Sequence, residues 1–129
     1  MKKTYWHATP YENLTSIIKD GLKPGFDGVS YFSDDPMKCA LCMSFCRRDA
    51  KKIIAIPFEI EESKMSLGMD HSPMMTQMLG IDDEGSSFTY SGVLKFRDHC
   101  DISEIRMFDN TFAMTDEEIK AIQELKSHV

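Results

Sequence analysis

No stretch of this chain holds 18 consecutive apolar residues, so nothing in it is expected to span a membrane. The opening MKKTYWHATPYE has two lysines but no apolar run of signal-peptide length behind them, which leads us to expect no export and a cytoplasmic location. In that compartment the four cysteines read as reduced thiols and not as a disulfide framework. Basic residues are outnumbered, 15 against 21 acidic ones, and the net charge of −6 argues against non-specific nucleic-acid binding. Internal repeats and low-complexity tracts are missing, as are GxSxG, P-loop, GxGxxG, HxxxH and HExxH spacings.

What remains is one domain's worth of chain: 129 residues, 42% hydrophobic and 28% charged. Tyr5–Thr9 is short and aromatic and predicts a strand. Thr9, Pro10 and Glu12 predict a capping box that opens a helix with Leu14, Ile17 and Ile18 on one face. Gly21 stops that helix, with Leu22 as the apolar contact behind it. Pro24, Gly25 and Gly28 make a loop, and Val29–Ser33 alternates as a second strand. Asp34-Asp35-Pro36 caps a second helix, from Met37 to about Ala50, with Ala40, Leu41, Ser44 and Phe45 inward. Ile53–Ile60 is the most apolar run and reads as a central strand, with Pro57 marking a bulge or an edge.

From Glu61 to Ser87 there is no clean period, and a stretch of that length reads as a lid or binding loop. Its methionines, Met65, Met69, Met74, Met75 and Met78, suit a surface that re-moulds around a partner. Phe88–Phe96 and Ile102–Phe108 predict two more strands. Thr115 to Glu118 is a second capping box, opening a terminal helix with Ile119, Ile122 and Leu125 inward. The whole is a mixed α+β domain.

Three groups of side chains offer candidate chemistry. Cys39, Cys42 and Cys46 share a helix face and are soft donors, but metal-binding pairs of this kind lie on turns, and only Cys100 remains as a fourth. We therefore expect small core thiols and no metal. Arg47, Arg48, Lys51 and Lys52 form the only basic cluster and read as a solvated helix end. His71 and His99 lack a partner at a useful spacing; the His99-Cys100 pair would point to opposite faces of a strand. That leaves His7 and Tyr31, which periodicity alone reads as two core residues on neighbouring strands.

The text around those two residues resembles the ADP-ribosyltransferase superfamily. The family's first strand carries H-G-T or H-x-T, here His7-Ala8-Thr9. Its next motif reads G-hydrophobic-Y-F-A/S, here GVSYFS from Gly28 to Ser33. The poly(ADP-ribose) polymerase-like branch, with a His–Tyr–acid triad, is the nearest type. The rifampicin ADP-ribosyltransferases are similar in length and also end in a strand and a helix, as EIRMFDNTFAMTDEEIKAIQEL does. The motif match covers about the first 45 residues.

The resemblance implies a split, strongly bent sheet with flanking helices that holds NAD, as substrate, in a cleft between the His7, Tyr31 and Ile53–Ile60 strands. It implies that His7 hydrogen-bonds a ribose and that Tyr31 stacks on nicotinamide. Ala8 would meet the nicotinamide amide through its backbone, with Thr9 or Ser33 adding a hydroxyl and Tyr90 completing the set. The reaction implied is mono-ADP-ribosylation of an acceptor, contacted by the Met-rich loop at 65–78. Three departures stand out: Ala8 replaces a glycine, Ser30 is an additional residue before Tyr31, and the expected place of the triad acid, near Ser91-Gly92, has no carboxylate. Glu84, then Asp83, are the candidates for that acid, ahead of Asp82 and Glu104. Two alternatives follow: the same fold as a catalytically inactive binding or inhibitory module, or a relative of RNA 2′-phosphotransferases. The latter needs cleft arginines, and the chain has only Arg47, Arg48, Arg97 and Arg106.

Overall fold

The computed structural model describes residues 1–68 and 87–127. The candidate acids Asp83 and Glu84, with Asp82, His71, Met69, Met74, Met75 and Met78, lie outside the described residues. Six antiparallel strands form one sheet in the order β4-β5-β2-β1-β3-β6. They are β1 (Lys2–Pro10), β2 (Ser30–Ser33), β3 (Lys52–Glu61), β4 (Ser66–Leu67), β5 (Ser87–Tyr90) and β6 (Arg106–Asp109). Among the described residues four helices accompany them: α1 (Leu14–Asp20), α2 (Pro36–Cys46), α3 (Phe96–His99) and α4 (Asp116–Ser127). The fold is α+β.

β1 and β3 form the spine. All nine residues of β1 have partners on β3, from Lys2 opposite Glu61 to Pro10 opposite Ile53. Ile53, Ile54, Ala55, Ile56 and Phe58 are wholly buried, which is what an apolar run in a sheet's middle requires. β6 pairs only with Lys52–Ala55, so β3 runs on past it as an edge, and Pro57 deprives no second ladder of a donor there.

Alternation divides the residues of the spine between two faces. Tyr5, Ile54, Ile56 and Phe58 join Ile17, Leu22, Phe32 and Phe96 in the larger core. Ala8 and Ile53 join Ala40 and Ala50 of the α2 side in the smaller one.

By contrast, β1 and β2 share a single register pair, Trp6 opposite Ser33. From His7 onward β1 pairs with β3 alone among the described residues. Ser30, the additional residue, sits within β2 opposite Tyr90 without a bulge, which sets Tyr31 opposite Thr89.

Several expectations are corrected. The capping box at Thr9 does not form: β1 runs through Pro10, a 3-10 turn covers Tyr11–Asn13, and no side chain caps either it or α1. Pairing along the full length of β3 wins over the local cap. α2 ends at Cys46, short of Ala50, because Asn110 intercepts the chain there. Its buried Nδ2 donates to the carbonyls of Ser44, Arg47 and Ala50 at 3.2, 2.9 and 2.8 Å. The residues α2 buries are Ala40, Cys42 and Ser44, with Leu41 and Phe45 only half-buried.

The Phe88–Phe96 run stops being strand at Tyr90. Leu94 exchanges two main-chain bonds with Leu22, at 2.8 and 3.0 Å, and Phe96 opens α3. Ile102–Glu104 is a 3-10 turn under an Asp101 cap, so the late strand begins only at Arg106. α4 has its capping box, with Thr115 and Glu118 bonded in both directions. Its apolar stripe is inward only at Ile119, which is half-buried; Ile122 is 39% exposed and Leu125 68%. The helix is tied at its start, by Lys51–Asp116 at 2.9 Å and by Met114 N–H to the Arg48 carbonyl.

The start of α2 is as expected, with Asp35 accepting from the Met37 and Lys38 amides at 2.8 and 3.3 Å. Gly21 also stops α1 at positive φ (+83°).

Candidate functional site

The point where β1 leaves β2 is where the two candidate residues meet. His7 is half-buried on the larger-core face, its ring tilted against Phe32 with centroids 5.6 Å apart. Its Nδ1 lies 2.8 Å from the Tyr31 main-chain oxygen. A carbonyl can only accept, so Nδ1 carries the proton and Nε2 of the neutral ring is left as an acceptor. Burial lowers the pKa of the imidazole, outweighing the opposing effect of that bond. The site therefore holds a neutral, oriented imidazole.

That imidazole borders an open pocket of about 240 Å³ between β1 and α1. Thr9, Asn13, Ser16, Asp20 and Lys23 supply the polar lining. Thr9 is buried, and its hydroxyl accepts from Asn13 Nδ2 at 2.9 Å. Asn13, Ser16 and Asp20 reach the pocket because residues three and four apart share a helix face. Sequence reading followed the apolar stripe of this helix, Leu14, Ile17 and Ile18, and passed over the polar stripe beside it. The spacing of 13, 16 and 20 was the available signal.

Tyr31 meets His7 through its main chain, not through its ring. The ring is 57% exposed, and its hydroxyl donates to Asp27. That bond holds the Asp27 carboxyl below its usual range and pushes the Tyr31 phenol up. Asp27 was also missed; it is set by a turn in which Gly25 N–H reaches the Val29 carbonyl at 3.0 Å.

The other expected residues are placed as follows. Ala8 is buried with Ala40, Ala50 and Ile53, so its methyl packs on the α2 side of the sheet. Ser33 is buried, and its hydroxyl accepts from the Asp35 amide at 3.2 Å. Tyr90 is half-buried on β5 against the larger core. Neither Ser33 nor Tyr90 lines the His7 pocket. Ser91-Gly92, the expected place of an acid, follows the end of β5; the strand starts at Ser87, opposite Ser33. Glu84 and Asp83 precede that start by three and four residues.

The basic cluster is paired throughout. Arg47 bonds Asp49, Lys51 bonds Asp116, Lys52 bonds Asp109, and Arg48 donates to the Phe112 carbonyl. Arg106 stacks over Trp6 at 5.1 Å. No arginine lines the His7 pocket. Cys39 and Cys100 are partly buried, Cys42 is buried and Cys46 is exposed. Among the described residues no three His, Cys, Asp or Glu side chains are grouped to hold a metal ion.

Compared with protein-family models, curated proteins and solved structures, the chain matches none.

Proposed function

We propose that this protein is an NAD-dependent mono-ADP-ribosyltransferase acting in the cytoplasm, with the parting of β1 and β2 as its dinucleotide cleft. The observation that carries the reading is the His7–Tyr31 junction: a neutral imidazole held by the Tyr31 carbonyl, with Nε2 free beside a polar pocket. Nε2 accepts from a ribose hydroxyl, while Asn13, Ser16 and Asp20 offer further partners for a diol. The exposed ring of Tyr31 offers a face for nicotinamide to stack on. Past Trp6, the β2-facing edge of β1 has no strand partner among the described residues, which leaves main-chain groups there for a carboxamide.

In this reading the C–N bond between ribose and nicotinamide breaks, positive charge grows on the ribose, and an acceptor nucleophile attacks the anomeric carbon. Positioning and a nearby negative charge supply the rate. Glu84, or Asp83, is the proposed acid, since in sequence they precede Ser87, the β5 residue opposite Ser33, by three and four positions. The paired basic cluster and the absence of arginine from the pocket weigh against the phosphotransferase alternative.

The test is incubation with labelled NAD and a cell lysate, beside NAD-dependent thermal stabilisation. Saturation at 100 times the dissociation constant adds about 2.7 kcal/mol. Label transfer that is lost in His7→Ala and Glu84→Gln supports the enzyme. Stabilisation without transfer identifies a binding module on the same site. The absence of both effects at millimolar NAD overturns the proposal.

A further inference from the structure

A second pocket, of about 260 Å³, lies at the opposite end of β1 from Thr9, lined by Lys3, Tyr5, Asp34, Glu62, Leu67 and Phe88 among others. It is below the roughly 300–1,000 Å³ of drug-sized sites, so it suits a fragment-sized group. Tyr5 is 4% exposed, and its ring packs edge-on against Phe88 with centroids 5.1 Å apart. Yet among the described residues its hydroxyl has no hydrogen-bond partner. Among the described residues every fully buried side-chain nitrogen or oxygen has a partner. The Tyr5 oxygen must therefore open onto the pocket, at the end of a side chain that is otherwise buried.

The charges around that oxygen are unequal. Lys3 Nζ is 2.5 Å from Glu62 and satisfies it. Asp34 is exposed, and its carboxylate has no hydrogen bond or ion pair among the described residues. The unused capacity is thus one carboxylate and one phenol oxygen, beside an apolar wall of Phe88, Leu67 and Met65. A void left by poor packing would be apolar and dry, and would not end on an unpartnered hydroxyl.

We propose that this pocket binds an organic cation: an ammonium or guanidinium head that donates to Asp34 and the Tyr5 hydroxyl, on a short apolar body laid against Phe88 and Leu67. An anion would meet the unpaired charge of Asp34, and a neutral apolar group would leave the Tyr5 hydroxyl unmatched. The site is independent of any dinucleotide chemistry at His7. Two sources carry this chemistry, a free small amine and an arginine or lysine side chain of a peptide.

The test is an NMR amide titration of the full chain with phenethylamine and with acetyl-arginine amide, against benzyl alcohol and phenylacetate. The expected result is saturable shifts at the amides of Lys3, Leu67 and Phe88 with at least one cation, and about tenfold weaker binding of the neutral and anionic analogues. Tyr5→Phe, which keeps the ring packing, and Asp34→Asn, at an exposed position, each weaken the cation about tenfold. Preference between the two cations tells a free amine from a peptide side chain. No saturation by about 10 mM, equal affinity for the alcohol, or unchanged binding in Asp34→Asn would overturn the proposal.

Discussion

The imidazole Nδ1 of His7 donates a 2.8 Å hydrogen bond to the carbonyl oxygen of Tyr31, across the point where their strands cease to pair. This bond couples the position of one candidate residue to the backbone of the other, and it leads directly to a pH dependence.

Burial lowers the pKa of His7 in the folded chain, while the unfolded chain titrates near the ordinary 6.5. The unfolded state then binds more protons in the intervening window, so stability rises with pH there. We expect full stability above about pH 6.5, with progressive loss as pH falls from there through the lowered pKa. Denaturant unfolding at a series of pH values measures it. His7→Gln should flatten the curve in that window, and an unchanged slope would assign the dependence to other groups.

Asn110 is expected to be among the costliest polar side chains to remove. Asn110→Ala strips a shared donor from three carbonyls, two of those bonds being buried, and also loses the acceptor for the Phe112 amide. Leaving buried groups unsatisfied costs on the order of 1–3 kcal/mol each. A loss below about 1 kcal/mol in chemical denaturation would show that the cap is dispensable.

Gly21 and Gly28 both have φ near +84° but differ in their surroundings. A Cβ on Gly21 would lie 2.9 Å from the Leu94 carbonyl oxygen, whereas one on Gly28 meets nothing within 4 Å. Gly28→Ala should therefore cost only the backbone strain, roughly 1–2 kcal/mol. Gly21→Ala should cost clearly more, because it also pushes apart the Leu22–Leu94 bridge. Equal melting temperatures for the two variants would contradict this.

The native thiols should react unequally. Burial pushes the Cys39 and Cys100 thiols up to about 12, and thiolate is the reactive form. Cys46 is exposed. Maleimide at neutral pH should label Cys46 first, with Cys39 and Cys100 following only on unfolding, as mass spectrometry of the digested protein would show.

Much of this architecture was legible where the signal is local. Pro36 behind Asp35, Thr115 before Glu118 and the apolar run in β3 each dictate an element from within a few residues. What escaped depends on partners distant in sequence. Thr9 looked like a helix cap until β3 drew it into a strand, and Leu94 looked like strand until Leu22 claimed its main chain. The terminal helix showed an amphipathic stripe, but periodicity does not say whether anything covers it. At the candidate site His7 and Tyr31 were found by motif. Asp27 and the polar stripe of α1 were not, because their place is fixed by a turn and by strand pairing. Ser91-Gly92 was read as the start of a late strand, but β5 ends at Tyr90, just before it, and FTYSGVLKF alone does not show where that strand starts.

The Asn110 cap also constrains the order in which the molecule can be completed. A helix encoded by residues 36–46 receives its final fastening from a side chain encoded more than sixty positions later. As the chain is synthesised, the carbonyls of Ser44, Arg47 and Ala50 cannot receive this donor until residue 110 has been added. The last third of the sequence thus finishes a helix begun in the first.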